Sequence, residues 1–152
     1  MPTNVYGMND NFDKFNGHVI PAMISKFIEA KDKNLKNIKL LGTGKPIREF
    51  IHSDDLAGAI FNCLNTSKLQ MMKKFKSKLP LINVGTGETI SISKLSRIIA
   101  KFVNYKGKII FDKDFPDGTY KKNLNSKNIF SLGWRPKVRL QEGLKKIIKN
   151  RI

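Results

Sequence analysis

The chain has 152 residues, a formal net charge of +17, 40% hydrophobic residues and 27% charged residues. This length suffices for one hydrophobic core, and the composition is typical of a globular protein. Its one cysteine, Cys63, excludes an internal disulfide framework, and no apolar run approaches the ~20 residues that span a bilayer. We therefore expect a cytoplasmic protein with Cys63 in its core.

The net charge has two interpretations. A strongly basic chain can bind nucleic acid. However, 24 of the 29 basic residues are lysine and 5 are arginine, whereas nucleic-acid sites favour arginine or interleave aromatic rings. A lysine-rich surface therefore explains the charge better. The densest cluster, KLQMMKKFKSK at 68–78, is predicted to be an exposed loop or helix end.

The first half of the chain predicts a strand end, a helix and two further strands. Residues 1–6 are typical of the end of a strand and run into a loop rich in Asn, Asp and Gly. Apolar residues then recur on one face of a predicted helix: Val19, Ile20, Met23, Ile24, Phe27 and Ile28. IKLLG at 38–42 predicts a short strand, and REFIH at 48–52 predicts another extended stretch.

The second half continues this alternation. A helix is expected after REFIH, with Ser53 or Asp54 as its N-cap and a buried face of Leu56, Ala59, Ile60, Cys63 and Leu64. LINVG at 81–85 predicts a buried strand. Ser91 is expected to cap a helix whose inward residues are Ile92, Leu95, Ile98, Ile99, Phe102 and Val103. KIIFD at 108–112 predicts a strand and LQEGLKKIIKN at 140–150 a closing helix, so an α/β fold is predicted.

Two Gly-Thr-Gly triplets, at 42–44 and 85–87, follow predicted strands. Glycines in such places can let the backbone approach a phosphate group. Neither triplet completes the G-x-G-x-x-G dinucleotide motif, because Ile47 and Ile90 occupy the last position. We therefore interpret both triplets as tight turns.

A series of short motifs resembles the extended short-chain dehydrogenase/reductases, and among them the GDP-L-fucose synthase family. The motifs are PTNVYG, DNFD, HVIPAMISKF, GTGKPIREFIHSDDLA, INVGTGETISI, YKGKIIFD, PDGT and LGW-P. The resemblance implies the C-terminal, GDP-sugar-binding part of a Rossmann-type enzyme over residues 1–152. In this family an N-terminal half supplies the glycine-rich nucleotide loop and a Tyr-x-x-x-Lys pair. The sequence has neither, so we expect a fragment or a separate subunit that is inactive alone.

The resemblance also implies an activity. Enzymes of this family epimerise GDP-4-keto-6-deoxy-D-mannose at two ring carbons and reduce its ketone with NADPH. We expect NADP to be bound mainly by the N-terminal half, which would also form a homodimer, and no nucleic acid, membrane or metal to be bound. Two alternatives stay open, namely the same superfamily acting on another nucleotide sugar, and a non-catalytic basic module that binds nucleic acid.

The resemblance assigns roles to individual residues. His18 matches a histidine general acid, a role that suits a group titrating near neutral pH. Without the family match, His18 would be interpreted as a capping or packing residue. Cofactor-binding positions are Pro2, Thr3, Asn4, Val5 and His18, and substrate-binding positions are Lys26, Leu41, Arg48 and Asp117. Leu41 departs from the family, which often has a tryptophan there. The stretch YKKNLNSKNI after PDGT also departs, because the family has a Pro-Arg-Lys-rich stretch in that place.

Overall fold

The computed structural model describes residues 1–75 and 81–152. The strands are β1 (Asn4–Tyr6), β2 (Asn37–Leu41), β3 (Ile47–His52), β4 (Thr89–Ser91), β5 (Lys108–Asp112) and β6 (Lys121–Lys122). The helices are α1 (Val19–Asp32), α2 (Ser53–Leu64), α3 (Lys68–Phe75), α4 (Ile92–Val103), α5 (Lys127–Ser131) and α6 (Leu140–Lys149). This order confirms the predicted α/β fold. Within the two described ranges, no helix is long and apolar enough to cross a membrane.

Strand β3 is the centre of the larger sheet. It pairs in parallel with β1, where Asn4 lies opposite Phe50, and in parallel with β6, where Ile47 lies opposite Lys121. It also pairs antiparallel with β4. A second sheet consists of β2 and β5, which are parallel. Strands from distant parts of the chain therefore meet at β3.

Helices α1 and α4 form the main core. Helix α1 tolerates Pro21 because the residue lies in the first turn. Helix α4 packs against both α1 and α6. As predicted, the Ser91 hydroxyl caps α4 by accepting the Lys94 N–H (3.2 Å). The fully buried side chains of this core include Ile24, Phe27, Leu95, Ile99, Val103 and Leu144.

The predicted strand at 81–85 is wrong. Only Val84 pairs, through an isolated bridge to Pro2 in which the Thr3 N–H donates to Val84 O (2.9 Å) and the Val84 N–H donates to Met1 O (2.8 Å). Leu81 is exposed. At Gly85 the backbone passes over the carboxylate of Glu49, where an added Cβ would lie 2.4 Å from Oε1. The close approach leaves no room for a side chain at position 85.

The predicted cap of α2 is wrong, and its predicted buried face is right only for Leu56, Ala59 and Cys63. The cap is the His52 side chain, whose Nδ1 accepts the Asp54 N–H (3.2 Å). The helix turns Asp55 and Ala59 inward, because the Asp55 carboxylate accepts the N–H groups of Lys137 and Val138 (2.9 Å each). This rotation leaves two predicted core residues, Ile60 and Leu64, exposed.

Two further predictions concern Cys63 and the lysine cluster. Cys63 is half-buried and packs against a second, smaller core that contains Ile51 and Trp134. Burial raises the pKa of its thiol. The cluster at 68–78 begins as helix α3, and its last three residues lie outside the described residues. The triplet at 42–44 is a tight turn as predicted, with positive φ at Gly42 (79°) and Gly44 (74°).

Glu49 is fully buried in the middle of β3. Its Oε1 accepts the N–H of Gly87 (2.7 Å) and its Oε2 accepts the N–H of Leu124 (2.8 Å). Its backbone carbonyl accepts the side chains of Thr3 (3.1 Å) and Asn4 (2.8 Å). One residue therefore joins β1, the loop before β4 and the segment after β6.

We predict that Glu49→Gln lowers the free energy of unfolding by about 2 kcal/mol, because one buried N–H loses its charged acceptor. Urea denaturation followed by circular dichroism measures the change. Glu88→Gln is the matched control, since Glu88 is exposed in the neighbouring loop and should change little. Equal unfolding midpoints for both variants would contradict a stabilising role for the Glu49 carboxylate.

Candidate functional site

A cavity of about 690 Å³ lies between the loop after β1 and the start of α1, and we name it the His18 cavity. Of the predicted cofactor-binding residues, four line it: Thr3, Asn4, Val5 and His18. Pro2 does not line it, since it bridges to Val84. The structure therefore places His18 beside β1, although the two are separated by a long loop in the sequence.

His18 is the N-cap residue of α1, yet its side chain makes no capping hydrogen bond. The imidazole is 83% exposed, and its Nδ1 lies 3.8 Å from Oδ1 of Asp10, whose side chain is 15% exposed. The capping and packing roles that could explain a histidine here are thus not used. The ring is free to contact a ligand in the His18 cavity.

The loop between β1 and α1 is held by its own polar side chains. The Asp13 carboxylate accepts the N–H groups of Asn16 (2.6 Å) and Phe15 (2.9 Å), which lower its pKa in that order. Ser25 on α1 donates to Phe12 O (2.7 Å). Lys14 pairs with Glu29 of α1. These contacts fix the loop to the helix that carries His18.

A second cavity of about 300 Å³ adjoins the first, and we name it the Lys26 cavity. It is lined by all four predicted substrate-binding residues: Lys26, Leu41, Arg48 and Asp117. Val19 lines both cavities and lies between them. His18 and Lys26 line two adjoining cavities rather than one.

The Asp117 carboxylate is already engaged by Thr43, the central residue of the first Gly-Thr-Gly triplet. The Thr43 N–H donates to Oδ1 (2.8 Å) and its hydroxyl donates to Oδ2. These bonds, the hydroxyl bond first, lower the pKa of Asp117. An added Cβ at Gly42 would lie 2.4 Å from Oδ1. The Gly-Thr-Gly turn therefore anchors Asp117. The position of this turn directly after a strand is the sequence signal that could have indicated this role.

Arg48 is fixed at the edge of the Lys26 cavity. Its Nη1 donates to Ile47 O (2.8 Å) and to Thr119 O (2.7 Å), so it ties β3 to the loop that carries Asp117. Both bonds use the same nitrogen, which leaves donors of Nη2 and Nε for a ligand. Among the described residues, no three His, Cys, Asp or Glu side chains are grouped as metal ligands.

Residues 1–85 match the sequence profile of the NAD dependent epimerase/dehydratase family. The chain belongs to this family. It is 42% identical to the GDP-L-fucose synthase of Escherichia coli (strain K12) over 144 residues, which cover 95% of this chain and 45% of that protein. The chain thus spans less than half of the length of the curated relatives that it matches.

Solved structures of family members also resemble the chain. A GDP-6-OMe-4-keto-L-xylo-heptose reductase from C. jejuni is 33% identical, with a TM-score of 0.85, over 99% of this chain and 52% of that one. A GDP-L-fucose synthetase from Naegleria fowleri bound to NADP is 27% identical, with a TM-score of 0.80, over 97% and 44%. The likeness covers about half of each enzyme and supports the assignment to the family.

We predict that Thr43→Val raises the pKa of Asp117 toward its usual value, because the variant removes the hydroxyl bond and keeps the backbone bond. Because the pKa of Asp117 is depressed, its carboxylate stabilises the turn at pH values above the ordinary aspartate pKa. This stabilisation is lost as the pH falls through the depressed pKa of Asp117. NMR titration of the Asp117 side-chain carbon measures the pKa. Thr66→Val, on a distant helix end, is the control; an unchanged Asp117 titration in Thr43→Val would contradict the anchoring role.

Proposed function

We propose that this chain is the GDP-sugar-binding and proton-transferring part of a GDP-L-fucose synthase. The observation that carries the proposal is the arrangement of two adjoining cavities along one helix. His18 opens into the first cavity at the start of α1, and Lys26 faces the second with Arg48 and Asp117. Sugar chemistry at one end and nucleotide recognition at the other would suit a nucleotide sugar.

The Lys26 cavity is suited to the diphosphate. Lys26 and Arg48 line it together, and the cation Lys14 lies at its rim, paired with Glu29. The Arg48 guanidinium can bind two oxygens with its remaining donors, which is the geometry that phosphate groups accept best. Asp117, held by Thr43, retains lone pairs that can accept hydrogen bonds from the nucleoside.

His18 is proposed as the acid that delivers protons during epimerisation. Inversion beside a ketone requires removal of a proton from one face and delivery of another to the opposite face. The exposed imidazole in the His18 cavity can reach a ligand, and Asp10 lies at 3.8 Å from its Nδ1. Hydride delivery would be the task of NADPH. Thr3, Asn4 and Val5 line the same cavity and would contact the nicotinamide end of the cofactor.

Another GDP-sugar is the second candidate substrate. The chain resembles a C. jejuni reductase whose name specifies a GDP-keto-heptose, and Leu41 departs from the tryptophan expected in fucose synthases. Faster turnover of a GDP-4-keto-heptose than of GDP-4-keto-6-deoxy-mannose by the assembled enzyme would favour this candidate. Tight DNA binding that weakens steeply with salt and displaces the GDP-sugar would instead favour the nucleic-acid module.

We predict that His18→Asn slows proton delivery to the sugar by ~10²–10⁴ in an enzyme assembled from this chain and the complementary part of the E. coli enzyme. Reduction of the ketone should be slowed less, because the proton for that step comes from the complementary part of the assembled enzyme. Incompletely epimerised GDP-sugar should therefore accumulate, which NMR analysis of the products detects. Clean formation of GDP-L-fucose at the original rate would show that His18 is not the acid.

We predict that Arg48→Ala raises the KM for the GDP-sugar in the same assembled enzyme, since it removes a charge-assisted contact of about 1.5–3 kcal/mol. Arg48→Lys should recover only part of the loss, because an ammonium cannot form the two-pronged contact. Lys45→Ala removes a nearby exposed charge that does not line the cavity, and it should leave KM unchanged. If all three variants have the KM of the unsubstituted enzyme, the diphosphate does not bind at Arg48.

A further inference from the structure

Phe15 is 88% exposed, more than any other large apolar side chain in the described parts of the chain. Its backbone is nevertheless fixed. The Phe15 N–H donates to the Asp13 carboxylate (2.9 Å), and the preceding Lys14 pairs with Glu29 on α1. A ring that is presented to solvent by a well-anchored loop is in a position to contact a ligand.

The ring of Phe15 lies on the Lys26 cavity, at which the diphosphate is proposed to bind. Among the described residues that line this cavity, Phe15 is the only one with an aromatic ring. Leu41 and Val19 line it as well and are 58% and 42% exposed, so the cavity has three exposed apolar side chains beside the cations Lys26 and Arg48. Exposed apolar surface next to paired cations matches a ligand with a flat base attached to a diphosphate.

We propose that Phe15 is the residue on which the nucleobase of the GDP-sugar stacks, with Leu41 as the second apolar contact. This inference rests on the proposed function and assigns to the loop after β1 a role in base recognition. Every nucleobase has a π-face, so an aromatic ring gains a stacking contact that an aliphatic side chain of similar size does not provide. The ring would thus compensate for the absence of an aromatic residue at position 41.

The test compares two probes in isothermal titration calorimetry of this chain, namely GDP and inorganic diphosphate. Phe15→Leu should weaken GDP binding about tenfold, which is the lower part of the range for loss of one base–aromatic stack. Diphosphate binding should stay unchanged, because the diphosphate does not contact the ring. Phe15→Tyr keeps the aromatic face and should bind GDP as the original chain does. Phe61→Leu is the matched control, since Phe61 is 70% exposed on α2 and lines neither cavity.

Arg48→Ala serves as the positive control, because it should weaken both probes. Unchanged GDP binding in Phe15→Leu would overturn the stacking role while leaving the proposed function intact. Equal weakening of both probes in Phe15→Leu would also overturn it, since the residue would then act by supporting the loop. A chain that binds neither probe would overturn the stacking role and the proposed function together.

Discussion

The architecture depends on the buried carboxylate of Glu49. Burying a carboxylate costs free energy unless its oxygens accept hydrogen bonds, and each oxygen of Glu49 accepts one N–H group, from two separate loops. Its carbonyl oxygen also accepts side chains from the start of the chain. Because the next residue toward the N-terminus is Arg48, the same strand that joins these segments also places the guanidinium at the Lys26 cavity. One strand therefore carries both the buried carboxylate and the guanidinium of the Lys26 cavity.

Local patterns predicted the parts of the fold that depend on local chemistry. The spacing of apolar residues defined α1 and α4, and Ser91 capped α4 as expected. The positions that the family resemblance assigned to the substrate came together in one cavity, although Lys26, Arg48 and Asp117 lie far apart in the sequence. A motif could indicate this grouping because it carries information about the whole fold, which periodicity does not.

The failures arose where a distant residue decides the local structure. The apolar run at 81–85 has the composition of a strand, but only Val84 forms a β-bridge. Ile60 and Leu64 of α2 were wrongly predicted to be buried. The helix instead turns Asp55 inward, where its carboxylate accepts the N–H groups of two residues that lie more than 80 positions later in the sequence. Phe15 was overlooked because an isolated exposed aromatic residue in a loop has no periodic signature.

Helix α1 fixes the spacing between His18 and Lys26 along its axis. At about 1.5 Å per residue, the backbone advances about 12 Å from His18 to Lys26. Since the helix is anchored in the main core, this separation cannot shrink. Under the proposed function, the helix would set the spacing between the sugar at His18 and the diphosphate at Lys26.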